Sequence, residues 1–310
     1  MEYRQMGKTG LQVSAIGLGT NNFGGRLDPE ATAVVVHKAL DAGINFIDTA
    51  NIYGAGKSED YIGRALKDGK RSKAIVATKV SGPMGEGPNR RGNSRAHIMI
   101  EVEESLKRLQ TDYIDLYQIH FTDPKTPIEE TMQALNDLVH QGKVRYIGCS
   151  NFAAWQVAEA NWTARMHGLE EFVTVQPQYS LLERRIEFEL TPFCKAYNIG
   201  IVPYSPLAGG FLTGKYHENQ PLPEGTRISS NRHAQERTLT KANYERLNKF
   251  EKFAKDRGHS MTEFAFAFLL ANPNVCSVIA GAMNAQQVAE NAKAGDWRLT
   301  ADEVTEVAKI

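Results

Sequence analysis

Asp48, Tyr53, Lys79 and His120 are side chains of the types that together deliver a proton to an oxygen. A phenol with a reference pKa of ~10 donates poorly at neutral pH. A lysine ammonium beside it stabilises the phenolate and lowers that pKa. An aspartate beside the lysine holds it and keeps it charged. A neutral imidazole can donate a hydrogen bond to a carbonyl oxygen and orient it. The combination is a general acid for a carbonyl that receives hydride from elsewhere. Side chains contain no hydride donor, so a nicotinamide is implied. Each residue alone has a plainer use: Asp after a strand caps helices, and a strand-end Lys is commonly a solvated charge. The case rests on all of them sharing one place.

That place depends on the elements that carry them. Asp48, Lys79 and His120 each end a short apolar run. The runs are 15–19, 45–48, 74–79, 115–120, 144–150, 173–176, 200–204 and 277–281. They are β-rich and nearly continuous, as strands buried on both faces are. Helical patterns alternate with them, over 29–42, 94–109, 127–141, 153–166, 186–197, 241–257 and 262–270. Pro127 sits near the start of one and Gly142 just past its end, the usual asymmetry. Such alternation predicts an α/β fold, a (β/α)8 TIM barrel over residues 1–310 in one domain, with active-site residues at the C-terminal strand ends. The other strand ends are polar too: Ser150-Asn151, Gln176 and Tyr204-Ser205. Residues 1–13, with a turn at Lys8-Thr9-Gly10, are expected to form a β-hairpin covering the barrel floor. The stretches 81–95 and 209–240 read as extended loops at the C-terminal face, and long loops in compact domains are usually functional.

Composition removes several alternatives. Lys+Arg and Asp+Glu are both 36, so no basic surplus favours nucleic acid. No apolar run approaches the ~18 residues of a membrane span. Met1–Gln5 has no apolar stretch behind it, so no secretory signal is expected. Cys149, Cys194 and Cys276 are odd in number and widely spaced, which argues against a disulfide framework or a cysteine zinc motif. A reducing cytoplasm is the expected compartment. The remaining histidines show no metal-ligand spacing, and no metal is expected.

Several stretches together resemble the aldo-keto reductase family: GINFIDTA at 43–50 followed by Tyr53-Gly54, Thr78-Lys79, QIH at 118–120, GCSNF at 148–152, QPQYS at 176–180 and YSPL at 204–207. The resemblance runs through essentially the whole chain in order. It implies a (β/α)8 barrel using a nicotinamide cofactor without a Rossmann domain. The family's catalytic tetrad falls on Asp48, Tyr53, Lys79 and His120. Ser150, Asn151 and Gln176 would surround the carboxamide, and Tyr204 would stack on the ring. Ser205, Pro206, Leu207, Gly209 and Lys215 would line the pyrophosphate, while Gln287, Glu290 and Asn291 would hold the adenosine. Gly19, Thr20, Asn21, Gly281 and Met283 complete the implied cofactor set. The Tyr53–Glu59 spacing is similar to the bacterial branch that includes potassium-channel β subunits. Many NADP-using members carry Arg, Lys or Ser where Met283 stands, and Met cannot bind a 2′-phosphate. Arg227 matches a basic position some members use for it. NADP(H) is therefore expected, with NAD(H) as the alternative.

Near-matches to other motifs fail on inspection. Gly209–Lys215 resembles a phosphate-binding loop, but Tyr216 stands where Ser or Thr would ligate magnesium. Gly17-Leu-Gly19-Thr-Asn-Asn22 lacks the third glycine of a dinucleotide fingerprint. Asn151 could instead cap the helix at Ala153. Cys149 reads as core. Arg90, Arg91 and Arg95 read as a solvated loop, with recognition of an anionic substrate as the sharper reading. Asn22, Phe23, Tyr53, Met84, His120, Phe121 and the stretch near Trp297 are expected to wall the substrate pocket. The small-molecule partner is expected to be a carbonyl compound reduced to an alcohol. The rivals are a nucleotide-sensing binding module like the channel β subunits and an oxidative dehydrogenase acting on a sugar or alcohol. A homo-oligomer is allowed.

Overall fold

Alternation along the strands is what turns an apolar run into a reactive rim. The computed structural model describes residues 1–310. On β4 (Phe46–Asp48), β5 (Ile75–Val80) and β6 (Ile114–Ile119), side chains point alternately into the barrel and out toward helices. Phe46, Ala77 and Leu116 meet in one inner cluster, whereas Ile47, Val76, Tyr117 and Ile119 join the outer core. The same inward register that buries Phe46, Ala77 and Leu116 carries Asp48, Lys79 and then Gln118 and His120 to the inside.

The strands form one parallel ring. A hairpin of β1 (Tyr3–Gln5) and β2 (Gln12–Ser14) precedes β3 (Ile16–Gly19). After β4, β5 and β6 come β7 (Val144–Ser150), β8 (Thr174–Gln176), β9 (Gly200–Ile201) and β10 (Val278–Gly281). Each pairs in parallel with the next, and β10 pairs with β3. Bridges Ile201–Val275 and Tyr204–Ile279 close the ring. Chain connections cross by helices, as parallel pairing requires. This is the expected TIM barrel. The hairpin sits at its floor, where Met6 and Val13 join the inner cluster.

The helices are α1 (Pro29–Asp41), α2 (Lys57–Ala65), α3 (Arg95–Leu109), α4 (Ile128–His140), α5 (Ala154–His167), α6 (Leu190–Tyr197), α7 (Arg232–Thr238), α8 (Lys241–Asp256), α9 (Met261–Leu270), α10 (Ala285–Ala294) and α11 (Ala301–Val307). Local chemistry sets their starts. Asp28 accepts the Ala31 N–H ahead of Pro29, and Ser94 accepts that of His97. None of the helices is long and apolar enough to cross a membrane.

Some expected boundaries change. The helix expected over 186–197 is a short 3-10 turn, Arg185–Glu187, followed by α6 from Leu190. The break keeps Pro192 in the first turn, where its missing N–H costs nothing. The seventh strand stops at Ile201 because Pro203 has no N–H for the ladder. The stretch 209–240 is not all loop: it includes the 3-10 turn Ala208–Thr213 and α7.

Candidate active site

Register brings the reactive ends to one rim. Asp48 is level with Ala77, and Lys79 with Gln118. Lys79 is fully buried, and its Nζ donates to Asp48 Oδ2 at 2.8 Å and to the Thr49 carbonyl at 2.6 Å. Asp48 Oδ1 accepts Gln176 Nε2 at 2.8 Å and Gln118 Nε2 at 3.5 Å. A buried ion pair persists when its other hydrogen-bonding positions are filled in this way. Lys79 Nζ lies 5.1 Å from the centre of the Tyr53 ring. The His120 and Tyr53 rings meet edge to face, with centres 5.9 Å apart, and Phe121 stacks on the His120 ring at 4.2 Å.

Tyr53 opens an unusual turn. Gly54, Ala55 and Gly56 have φ of +57°, +54° and +91°. The left-handed region is easy for glycine but costs Ala55 about 1 kcal/mol. Further left-handed residues other than glycine occur at Asn151, Ser205 and Ala208, all in segments that follow strand ends. Such backbone collects where surrounding contacts enforce it, commonly at functional sites.

The site's electrostatics differ from the sequence expectation in one respect. Burial pushes the Tyr53 hydroxyl above its ordinary value of 10; Lys79 pulls it down, but not enough to reverse the direction. The phenol is therefore held protonated. Burial works against the charge on Lys79, yet Asp48 and then Tyr53 outweigh it and keep the ammonium above 10.5. Burial, followed by the charge of Lys79, lowers His120 to about 3. Its imidazole is neutral at ordinary pH, and its buried Nδ1 has no partner.

Beside this group, Ser150 Oγ donates to the Gln176 carbonyl at 2.8 Å. Asn151 does not cap α5; Ala153 occupies that position, with its N–H donated to Gln156 Oε1. Asn151 faces the rim instead, donating to the His120 carbonyl and to Ser150 Oγ, both at 3.0 Å, and accepting the Tyr204 hydroxyl at 2.8 Å.

A cleft of about 1090 Å³ runs from this group. Gly19, Thr20, Asn21, Asp48, Ser150, Asn151, Gln176, Tyr204, Ser205, Pro206, Leu207, Gly209, Lys215, Arg227, Gly281, Met283, Gln287, Glu290 and Asn291 all line it. Arg26 and Lys293 line it as well and were not expected; Arg26 lies in the short β3–α1 connection, where sequence offers no periodicity. Gly209 and Gly210, at φ of +70° and +98°, leave backbone without side chains along one wall. Arg26 reaches across to the Gly225 carbonyl at 2.5 Å. Burial, then Arg26, lowers the Lys215 ammonium from its ordinary value. The donor set fits an elongated anionic ligand with an amide-bearing end: Gln176 and Ser150 stand near Asp48, with the cations Arg26, Lys215 and Arg227 along the walls. At the far end, Asn284 caps α10 and the Met283 N–H donates to Gln287 Oε1 at 2.8 Å.

The substrate walls need correction. Asn22, Tyr53, His120 and Phe121 line the cleft; Phe23, Met84 and Trp297 do not. Phe23 is fully buried, folded back by pairing with Leu27. The Met84 carbonyl is bound by Arg90, which keeps that loop away. Trp297 is stacked on His259 at 3.9 Å. Arg90 and Arg95 are paired with Glu101 and Asp137 and do not face the cleft, so the anionic-substrate reading of that cluster loses its basis. Gln118, which reaches Asp48, had a legible signal: it lies two residues before His120 on the inward face. No group of three or more His, Cys, Asp or Glu side chains could hold a metal ion.

Comparison with known proteins agrees with this architecture. A family model described as the aldo/keto reductase family matches residues 15–310. An uncharacterized oxidoreductase of Bacillus subtilis, YrpG, is 41% identical over 304 residues, covering 95% of this chain and 91% of its own. A probable voltage-gated potassium channel subunit beta of rice, Oryza sativa, is 37% identical over 301 residues, 96% of this chain and 92% of its own. The aldo-keto reductase YhdN of Bacillus subtilis is 37% identical over 316 residues, 100% of this chain and 93% of its own.

Proposed function

The chain belongs to the aldo/keto reductase family, and from that premise we propose that it reduces aldehydes or ketones to alcohols with NADPH, Tyr53 serving as the general acid. The observation that carries this reading is the buried Asp48–Lys79 pair beside Tyr53, with His120 across from it at the head of the cleft. A bound nicotinamide would supply the hydride. The protein's own part is to hold and move a proton. Tyr53 keeps its proton because burial raises its pKa, and Lys79 stabilises the phenolate left once the proton is given to the substrate oxygen. Asp48 keeps Lys79 charged. Neutral His120 orients the carbonyl by a hydrogen bond.

Ser150 and Gln176 would hold the carboxamide, with Asn151 bracing Tyr204. Lys215, Arg26 and the glycine-rich wall at 209–210 suit the pyrophosphate. Arg227 favours NADPH over NADH, since a 2′-phosphate needs a cation that Met283 cannot provide. The rice relative's name supports a second reading, a nucleotide-binding partner of another protein, built on the same barrel.

Oxidation of NADPH or NADH by an aromatic aldehyde tests both readings. We expect turnover with NADPH, and a loss of about 10³-fold in kcat for Tyr53→Phe with cofactor Kd unchanged. A Tyr53→Phe variant as active as wild type would remove Tyr53 from the chemistry. Tight cofactor binding without turnover of any carbonyl would favour the second reading.

A further inference from the structure

Outside the barrel wall, behind the Lys79 strand, lies a second set of buried charges that the proton transfer leaves unused. Glu59 and Glu101 are both fully buried. Glu59 Oε2 accepts Arg108 Nε at 2.6 Å, and Glu59 Oε1 accepts the Thr78 hydroxyl at 2.5 Å. Glu101 pairs with Arg90 at 3.0 Å, faces Arg108 at 3.7 Å and accepts Asn51 Nδ2 at 3.1 Å. Two carboxylates taken out of water are a costly way to join two helices, and apolar side chains of equal volume would do it for less.

What distinguishes the set is where it attaches. Thr78 precedes Lys79 on β5 and points outward where Lys79 points in. Glu59 lies in the first turn of α2, directly after the left-handed Tyr53–Gly56 turn. The Arg108 side chain lies over that turn: a Cβ at Gly56 would meet Arg108 Cδ at 2.8 Å. Ser58, next to Glu59, ties the same helix start to Thr20 and Thr49, at 3.2 and 2.9 Å. One carboxylate thus touches the strand that presents Lys79 directly and, through Arg108, is tied to the turn that presents Tyr53.

We propose that Glu59 is a positioning residue: with Arg108 and Thr78 it clamps the left-handed Tyr53–Gly56 turn against the strand carrying Lys79. The proposal rests on the reading of Tyr53 as the acid. Strained backbone persists only while its surroundings over-determine it. Without the clamp the turn relaxes at Ala55, and Tyr53 leaves its place beside Lys79. A displacement of about 1 Å can cost up to about 10²-fold in rate.

Glu59→Gln tests this with little risk to folding: the side chain keeps its volume, but the neutral amide loses the charge-assisted contact to Arg108 and has only one oxygen to accept from Arg108 and Thr78. Thr78→Val is the second variant, cutting the tie to β5. Each is expected to lose about tenfold in kcat, with KM and cofactor Kd within about twofold of wild type. Adding Ala55→Gly, which makes the left-handed turn easy, is expected to recover about threefold in the Glu59→Gln background. A merely structural role would lower the melting temperature without this split or this rescue. In the cofactor-free protein, amide hydrogen exchange at residues 53–57 is expected to quicken while the 3–14 hairpin keeps its wild-type rate. Unchanged kcat and exchange in both variants, or a loss that Ala55→Gly leaves untouched, overturns the proposal. A wild-type protein that reduces no carbonyl defeats the reading of Tyr53, and the exchange measurement then still decides the clamp.

Discussion

Protonating His120 would set a second cation beside Lys79 in a buried site, and the fold resists it by lowering the imidazole to about 3. An unfolded histidine takes its proton near 6.5. Between those values the unfolded chain binds a proton that the native site refuses. Stability therefore falls as pH drops from about 6.5 toward 3, by about 1.4 kcal/mol at pH 5.5 from this residue. Urea midpoints measured from pH 4 to pH 8 should show that loss, and His120→Asn should remove part of it. His97, lowered mainly by burial, adds a loss of the same sign that this variant leaves. With His120 neutral throughout, kcat/KM should show no limb near 6.5; one that disappears in His120→Asn would contradict the neutral imidazole. Asp48, Lys79 and His120 were legible in the sequence because each ends an apolar run, and a parallel barrel sends all such ends to one rim. The net direction of the Tyr53 shift was not, because burial depends on everything packed above the phenol. Phe23 and Met84 face elsewhere for a related reason: a loop side chain's direction is set by irregular turn contacts, here with Leu27 and Arg90 four and six residues on, which follow neither the strand nor the helix period.

At the scale of elements, periodicity located α1, α3, α4, α5, α8, α9 and part of α6, and missed α2, α7, α10 and α11. α2 and α10 carry few large apolar residues, Tyr61 and Ile62 in one and Val288 in the other, so neither stands out as a core-facing segment, although α2 follows Tyr53 and α10 walls the cleft. The Glu59–Arg108 pair was equally hidden, since it joins side chains 49 positions apart across two helices. Arg26 likewise joins two separate segments, across the cleft. Its guanidinium holds the segment before α1 to the Gly225 carbonyl in the segment after β9, with the proposed cofactor channel between them. A charge-assisted hydrogen bond of this kind contributes about 1 kcal/mol or somewhat more. Arg26→Ala should thus speed cofactor release about five- to tenfold in stopped-flow displacement. The kcat should hold, or rise if release limits turnover. An unchanged release rate would mean that the two segments are held by other contacts.

Across the whole molecule, the barrel separates what makes it reactive from what makes it stable. The rim carries the strained turn at Ala55, the buried Asp48–Lys79 pair and the cleft, all of which cost free energy to maintain. The floor carries none of these. There Met6 and Val13 of the hairpin seal the inner cluster of Phe46, Ala77, Leu116, Val173, Val202, Cys276 and Ile279. The fit is close: a Cβ on Gly7, at φ of +54°, would meet the Val173 carbonyl oxygen at 2.5 Å and the Gly200 nitrogen at 2.8 Å. The same inward register serves both ends, which is why one alternating pattern fills the floor with apolar side chains and the rim with Asp48, Lys79 and Gln118. Met6→Ala opens a cavity against side chains that cannot collapse into it, and should cost about 3 kcal/mol in equilibrium unfolding by urea. Conserved function at one barrel end and stability at the other is the general division of this fold. The kcat of Met6→Ala, measured well below its unfolding transition, should therefore stay within about twofold of wild type. A large fall in kcat with the fold intact would mean that strain at the floor is transmitted along the strands to Asp48 and Lys79, and that the two ends act as one.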